Sequence, residues 1–196
     1  MDEINKKNVI DFWDKTATQT TLDNKEGVGM LTEGNEYYAR ARTMEEFQLL
    51  NNLVSRREIE RVLEVGCGSG RYASYFSERG MKYFGVDISS EMISLAETIH
   101  GNRDNNISFQ HITDISEINE IFDLVIIGGV TQYLNDNELA EFAAKCAELT
   151  RYRLITRDTF SLWARKALIN SDYSVIYRTP EELNSFFNTD QLKFIL

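Results

Sequence analysis

The segment Arg61-Val62-Leu63-Glu64-Val65-Gly66-Cys67-Gly68-Ser69-Gly70 decides the fold of this chain. Its apolar first half predicts a strand, and the residues from Arg71 to Arg79 predict a helix. Glycines that join a strand to a helix allow a tight turn in which backbone amides come close to a ligand. Similar turns occur in dinucleotide-binding folds and in purely structural positions, so the glycine spacing alone leaves the ligand open.

Short apolar runs alternate with amphipathic stretches after this turn. Further strands are predicted at 82–86, 107–111, 122–127 and 152–156, and further helices at 91–100 and 136–149. Thr179-Pro180-Glu181-Glu182 is typical of the start of a last helix, with a capping residue followed by proline. This alternation predicts a doubly wound α/β fold with a mainly parallel sheet. The continuous apolar run from Phe122 to Ile127 predicts a strand buried on both faces, in the middle of the sheet.

The residues before the first strand predict a separate layer of the structure. Residues 1–56 are interpreted as a helical cap and lid, and residues 57–196 as the core of a single domain. Short helical periodicity at Asn8–Trp13 and longer periodicity at Glu36–Val54 predict two helices. Between them, Asp14–Gly34 is polar and contains glycine, which predicts a loop or a lid that orders when ligands bind.

Composition excludes several classes of protein. The formal net charge of −10 argues against a wide phosphate-binding surface, so nucleic acid is not expected as a partner. No apolar run reaches the length of a membrane crossing and the first residues lack an apolar signal core, so we expect a cytoplasmic protein without membrane insertion. The chain has two cysteines and two histidines without metal-ligand spacing, and no metal site is expected.

Acidic residues lie at or after the ends of three predicted strands. Glu64 lies near the end of the first strand, Asp87 follows the second and Asp114 follows the third. Because ligands of open parallel sheets bind at the carboxyl ends of the strands, these acids are candidates for one site. A carboxylate in the position of Asp87 can accept both hydrogen bonds of a ribose diol, and Asp114 can meet the exocyclic amine of an adenine.

This ordered set resembles the class I, Rossmann-like family of S-adenosylmethionine-dependent methyltransferases. The resemblance runs from about Val62 to Asp158 and implies a sheet of the seven-stranded type with S-adenosylmethionine as cofactor. It also implies that an N-terminal arginine, Arg40 or Arg42, pairs with the methionine carboxylate, although a solvated helix face is an equal alternative. The cofactor-binding residues that it implies are Arg42, Glu64, Gly66, Cys67, Gly68, Gly70, Asp87, Ile88, Asp114, Ile115 and Gly128.

The methyl acceptor is less well determined. The fourth strand is followed by Gly128-Gly129-Val130-Thr131-Gln132-Tyr133 rather than by the Pro-Pro motif of the family's DNA amino-methyltransferases, and no nucleophilic cysteine for pyrimidine rings is found. The methyl acceptors that remain are a hydroxyl, an amine or a carboxylate on a small molecule, on a sugar or glycan, or on a peptide. The candidate catalytic residues are Tyr133 and Asp158, and the candidate substrate-binding residues are Tyr37, Tyr38 and Arg157. The structural alternatives to these functional roles are a packed aromatic ring and a surface ion pair.

Two other functions remain open at this level. The chain could be a cofactor-binding but catalytically idle module of a larger assembly. It could also be an NAD-dependent oxidoreductase, although in the glycine turn of that class the third glycine normally comes one position later than Gly70 does here. Only Gln191–Leu196 follows the last helix, where the family usually has two further strands after the fifth. We therefore expect a sheet that lacks its last strand, with its edge covered by a second copy of the chain or by further domains downstream.

Overall fold

The computed structural model describes residues 4–19, 36–54, 59–101, 104–169 and 174–187. The strands within these ranges are β1 (Arg61–Val65), β2 (Lys82–Asp87), β3 (Ile107–His111), β4 (Phe122–Gly128), β5 (Thr150–Arg157), β6 (Lys166–Ile169) and β7 (Ser174–Tyr177). The helices are α1 (Lys6–Thr18), α2 (Glu36–Val54), α3 (Ala73–Ser77), α4 (Ser90–His100), α5 (Asp136–Glu148) and α6 (Pro180–Phe187), with 3-10 turns at Ile115–Glu117 and Thr131–Tyr133.

Strands β1 to β5 form one sheet in the order β3-β2-β1-β4-β5, and every neighbouring pair is parallel. The chain moves outward from β1 in one direction through β2 and β3, and in the other through β4 and β5. The order therefore switches beside β1, and the carboxyl ends of β1, β2 and β4 meet there. The predicted doubly wound α/β fold with a mainly parallel sheet is confirmed.

Both faces of the sheet are covered, because side chains of successive strand residues point to opposite faces. On one face Leu63 and Val125 pack in a core with residues of α5 and α6. On the other face Val62 and Leu124 pack with residues of α2 and α3. Strand β4 is buried along almost its whole length, as the continuous apolar run predicts.

Local capping explains where several helices begin. The Ser89 hydroxyl accepts a hydrogen bond from the Met92 amide (3.1 Å) at the start of α4. Asn135 and Glu138 form a capping box at the start of α5, and Thr179 and Glu182 exchange the equivalent bonds at the start of α6. Each cap satisfies amides that have no partner within the helix. Helix α3 is shorter than the predicted span of residues 71–79.

The N-terminal segment is more helical than the sequence predicts. Helix α1 continues to Thr18, so the first residues of the predicted lid, Asp14–Thr18, are helical. The reason is tertiary packing: Ala17 is buried against Met92 of α4, and Trp13 packs against the same cluster. The remainder of the predicted lid, residues 20–34, and the terminal segment Gln191–Leu196 lie outside the described residues.

A second, two-stranded sheet was not predicted from the sequence. Strands β6 and β7 pair antiparallel after β5, with Ala167 opposite Ile176. Strand β6 is exposed throughout while β7 is buried, so neither shows the alternation that marks a half-buried strand. In the part of the chain that is described, no helix is both long enough and apolar enough to cross a membrane.

Candidate active site at the carboxyl edge of the sheet

A cavity of about 1060 Å³ opens where the strands of the large sheet end, with α1 and α2 on its outer side. Ligand pockets in proteins commonly measure about 300–1,000 Å³, so this one lies at the upper limit of that range. It is lined by thirteen of the sixteen candidate residues, namely Arg42, Glu64, Gly66, Cys67, Gly68, Asp87, Ile88, Asp114, Ile115, Gly128, Tyr133, Arg157 and Asp158. Gly70 and Tyr37 do not line it, and the side chain of Tyr38 lies outside the described residues.

The glycine turn after β1 is held close to its neighbours. The amides of Gly66 and Cys67 both donate to the carbonyl oxygen of Val86, at 2.8 and 3.1 Å. A Cβ on Gly66, where φ is +77°, would lie 2.5 Å from the Val130 side chain and 2.7 Å from the Gly128 carbonyl oxygen. A Cβ on Gly68, where φ is +53°, would meet nothing within 4 Å. Gly66 is therefore required by packing, whereas Gly68 leaves open space at the cavity wall.

Asp87 connects the end of β2 to this turn. Its Oδ2 accepts a hydrogen bond from the Gly68 amide (2.8 Å), and its Oδ1 accepts one from the Ser89 amide (2.9 Å). Burial raises the pKa of Asp87, and the two amide bonds only partly offset this effect. An ionised carboxylate has about four acceptor positions, so both oxygens can still accept from a diol in the cavity.

Glu64 lies beneath the glycine turn and is only 4% exposed. The Tyr83 hydroxyl donates to its Oε2 at 2.5 Å, while a Cβ on Gly128 would lie 3.4 Å from its Oε1. Burial raises the pKa of Glu64 to about 7. A cationic amine in the cavity would favour the ionised carboxylate.

The exposed end of the cavity carries Asp114. Its carboxylate accepts a hydrogen bond from the Ser116 amide (2.8 Å) in a capping box with Glu117, and the hydrogen bonds from Ser116 lower its pKa. The apolar residues Ile112 and Ile115 line the cavity beside it. A carboxylate beside an apolar wall suits a flat ring that carries an amino group.

These acceptor groups have the chemistry that S-adenosylmethionine requires. Glu64 could accept from the methionine amine, Asp87 from the ribose diol, and Asp114 from the amine of adenine. Gly68 leaves space where a Cβ would otherwise project. In the described ranges, no three His, Cys, Asp or Glu side chains are grouped so that they could hold a metal ion.

An ion-pair network that the sequence did not reveal joins α2 to the cavity. Glu46 accepts from Arg157 Nε at 2.7 Å through Oε1, and from Arg71 Nη2 (2.5 Å) and the Tyr72 hydroxyl (2.7 Å) through Oε2. Burial by itself would raise the pKa of Glu46, but Arg71 and Arg157 outweigh it and hold the pKa below the usual value. No spacing pattern links these residues, because Glu46 and Arg157 are 111 positions apart.

Asp158 lines the same cavity, directly after β5. Its Oδ1 accepts a hydrogen bond from the Thr131 amide (3.1 Å). Its Oδ2 is buried and receives no hydrogen bond from any described residue. Burial raises the pKa of Asp158 to about 6, against smaller lowering effects from hydrogen bonds with Thr131.

Gln132, which the sequence reasoning missed as a site residue, lies in the same wall. It is 8% exposed, and its Oε1 is buried without a hydrogen-bond donor among the described residues. Its turn is held by Arg178, whose Nη1 donates to the Thr131 carbonyl oxygen (2.9 Å) and whose Nη2 donates to that of Leu134 (2.8 Å). Arg178 follows β7, so the unpredicted hairpin positions this part of the cavity.

The aromatic candidates are placed differently from one another. Tyr133 lines the cavity but is buried in a cluster with Val175 and Ile176, and the edge of its ring meets Trp13 at a centroid distance of 6.2 Å. Tyr37 is 86% exposed. Gly70 instead serves packing, since a Cβ there would lie 2.7 Å from the ring of Phe109.

Comparison with known sequences identifies relatives of the central part of the chain. Residues 62–152 match a family model described as a methyltransferase domain. The chain is 31% identical over 101 residues to ubiquinone biosynthesis O-methyltransferase of Rhizobium etli, a match that covers 50% of this chain and 40% of that protein. It is 29% identical over 145 residues to the protein of the same name from Bradyrhizobium diazoefficiens, covering 69% and 56%. Both matches span less than two thirds of the relatives' own length.

Solved structures share this fold at low sequence identity. A complex of DhpI with SAH has a TM-score of 0.64 at 15% identity and covers 91% of this chain and 83% of that one. Magnesium protoporphyrin IX methyltransferase of Synechocystis with bound SAH has a TM-score of 0.64 at 17% identity, covering 93% and 87%. A SAM-dependent methyltransferase of Leishmania major has a TM-score of 0.70 at 14% identity, covering 93% and 71%. These likenesses establish a common fold.

Proposed function

We propose a function that starts from one premise, namely that residues 62–152 of this chain form a methyltransferase domain of the class I, Rossmann-like, S-adenosylmethionine-dependent family. The chain transfers the methyl group of S-adenosylmethionine to a hydroxyl of a small molecule or glycan. One observation carries this proposal. A single cavity is lined both by the glycine turn with Asp87 and by Asp158, a carboxyl group whose pKa burial raises to about 6.

In this proposal, the part of the cavity formed by the glycine turn and Asp87 holds the cofactor. Glu64 binds the methionine amine, Asp87 the ribose hydroxyls and Asp114 the adenine amine. Arg42 of α2 lines the cavity and is the partner of the methionine carboxylate. When bound, S-adenosylmethionine supplies a methyl group that its sulfonium already activates.

The part of the cavity around Asp158 activates and orients the methyl acceptor. A general base works best when its pKa is close to the working pH, and the pKa of about 6 gives Asp158 an ionised carboxylate at neutral pH. In this proposal the Asp158 carboxylate accepts the proton of the acceptor hydroxyl, and the Thr131 amide holds the carboxylate through Oδ1. Tyr133 is the second group that we assign to the reacting centre, since it lines the same wall.

Arg157 is the candidate for an anionic group of the acceptor. Its Nε is engaged by Glu46, which fixes the plane of the guanidinium, and the side chain remains one third exposed. A fixed guanidinium suits carboxylate or phosphate recognition, because its donors form a rigid fork. We also propose that Tyr37 and Tyr38 of α2 contact the methyl acceptor.

The names of the curated relatives support transfer to oxygen. Those of Rhizobium etli and Bradyrhizobium diazoefficiens are both called O-methyltransferases. A buried carboxylate base suits this chemistry, because a hydroxyl must lose its proton as the new bond to carbon forms.

Two measurements on the purified chain test the proposal. Calorimetry is expected to detect binding of S-adenosylmethionine and S-adenosylhomocysteine and no binding of NAD. A screen of hydroxyl-bearing acceptors is then expected to release S-adenosylhomocysteine. Binding of NAD alone would show the cofactor assignment to be wrong. Cofactor binding without turnover on any acceptor would favour the catalytically idle module.

A further inference from the structure

We infer that Glu46 is a positioning residue for the cofactor: it fixes α2 against the glycine turn and the end of β5, and so places Arg42 where the methionine carboxylate binds. This inference rests on the proposed function, in which Arg42 pairs with that carboxylate. It adds a residue that acts through another side chain and that no sequence motif marks. The affinity for the amino-acid half of S-adenosylmethionine then depends on an ion-pair cluster within the protein.

The first observation is that helix α2 is packed unequally along its length. Its second half is buried in the core through Leu50 and Val54. In its first half, the described side chains between positions 37 and 45 are exposed, except for that of Thr43. Apolar packing therefore fixes the second half of the helix far more firmly than the first half, which carries Arg42.

The second observation is that Glu46, at the junction of these halves, binds the core through both of its oxygens. Oε1 accepts a hydrogen bond from Arg157 Nε (2.7 Å). Oε2 is paired with Arg71 Nη2 (2.5 Å) and accepts a hydrogen bond from the Tyr72 hydroxyl (2.7 Å). These partners are held in turn, since the Arg71 side chain is only 8% exposed and its Cζ lies 4.5 Å from the centre of the Tyr72 ring. Charge-assisted bonds of this kind are stronger than neutral ones, so they fix α2 at this point.

The third observation is the place of Arg42 relative to this cluster. Arg42 and Glu46 are four positions apart on α2, so their side chains leave the same face of the helix, and both line the cavity. Burial raises the pKa of Glu64, and among the effects that oppose burial are the charges of Arg71 and Arg157. The two arginines that hold Glu46 therefore lie close to the proposed partner of the methionine amine. Arg42 and Glu64 then bind the two charged groups of one amino acid, its carboxylate and its amine.

The test compares two ligands by calorimetry on the purified chain. 5′-Methylthioadenosine has the adenine, ribose and sulfur of S-adenosylhomocysteine but neither its amine nor its carboxylate. In Glu46→Gln the affinity for S-adenosylhomocysteine is expected to fall about tenfold, because the neutral amide no longer holds both arginines, while the affinity for 5′-methylthioadenosine stays within about twofold. Glu45→Gln is the matched control. It removes the same charge from an exposed position of the same helix and is expected to keep both affinities within about twofold.

A double variant separates positioning from an independent contribution of Glu46. Arg42→Ala is expected to weaken S-adenosylhomocysteine binding by about tenfold, again without changing that of 5′-methylthioadenosine. Adding Glu46→Gln to Arg42→Ala is expected to cost no more than about twofold further, because Glu46 acts through Arg42. Retained binding of 5′-methylthioadenosine shows that each variant is folded. If Glu46→Gln does not fold, Glu46→Asp replaces it, since its shorter side chain keeps the charge but cannot span Arg71 and Arg157.

The outcomes distinguish this inference from the proposed function. An unchanged affinity for S-adenosylhomocysteine in Glu46→Gln, or in Arg42→Ala, would overturn the inference and leave the cofactor assignment in place. Losses that add in the double variant would also overturn it, because Glu46 would then act without Arg42. A parent chain that binds no S-adenosylhomocysteine would overturn the proposed function together with the inference.

Discussion

Two regions of the cavity wall differ in how their polar groups are satisfied. At the glycine turn both oxygens of Asp87 accept hydrogen bonds from backbone amides, and Glu64 accepts one from the Tyr83 hydroxyl. In the region around Asp158, Asp158 Oδ2 and Gln132 Oε1 are buried without donors among the described residues. The acidic groups of the first region are thus paired within the chain, whereas these two oxygens of the second region are not.

This difference indicates that the two regions of the cavity have different functions. The glycine-turn end must present a fixed geometry to one cofactor, and its internal hydrogen bonds provide that geometry without a ligand. The region around Asp158 keeps two unpaired buried oxygens, which lower the stability of the free protein. The following predictions test this division, starting with the largest expected effect.

Asp158→Asn is expected to lower kcat by about 10²–10⁴-fold, because the amide cannot take the proton of the acceptor. S-adenosylmethionine affinity should stay within about twofold, since Asp158 is not one of the groups assigned to the cofactor. Release of S-adenosylhomocysteine and calorimetry measure the two effects. In the parent chain kcat/KM should fall as the pH drops below about 6, because protonation of Asp158 removes the base. Unchanged turnover in the variant would contradict its role.

Gly66→Ala is expected to lower the free energy of unfolding by about 3 kcal/mol. The new Cβ would lie 2.7 Å from the Gly128 carbonyl oxygen, and the positive φ adds strain of about 1 kcal/mol. Gly68→Ala is the matched control. It carries the same kind of strain but no collision, so it should cost only about 1 kcal/mol. Urea denaturation measures both, and equal losses would show that the turn does not depend on this contact.

Asp87→Ala is expected to weaken S-adenosylmethionine binding by about 1–3 kcal/mol through the lost bonds to the ribose. Asp114→Ala should have a smaller effect, because its carboxylate is exposed to water. Calorimetry compares the two variants with the parent chain. The order of the two losses is the critical result. A larger loss in Asp114→Ala would show that the ribose site is misplaced.

The affinity for S-adenosylmethionine is expected to rise about tenfold, or about 1.4 kcal/mol, between pH 6 and pH 8. The pKa of Glu64 is raised to about 7, so its carboxylate is mostly protonated at pH 6 and ionised at pH 8, when it attracts the methionine amine. Titrations across this range in Glu64→Gln should show no such rise. A rise of equal size in the variant would assign the pH dependence to another group.

Much of the large sheet could be predicted from sequence, because its signals are local. Apolar runs predicted all five of its strands, and the caps at Ser89 and Thr179 were found where the sequence placed them. The glycine turn and Asp87 were also visible, because they follow strand ends at a spacing that a parallel sheet brings to one edge. The hairpin of β6 and β7 was missed, since its four-residue strands have no periodicity of burial.

The sequence by itself therefore determined the fold class and the glycine-turn end of the cavity, where neighbouring residues along the chain carry the information. Tertiary structure alone decided the rest of the cavity. Glu46 meets Arg157 across 111 positions, and Arg178 reaches Thr131 across 47. Burial that raises the pKa of Asp158 and leaves Gln132 without a donor depends on how distant elements pack. Such packing is a property of the folded chain, which no local pattern of residues encodes.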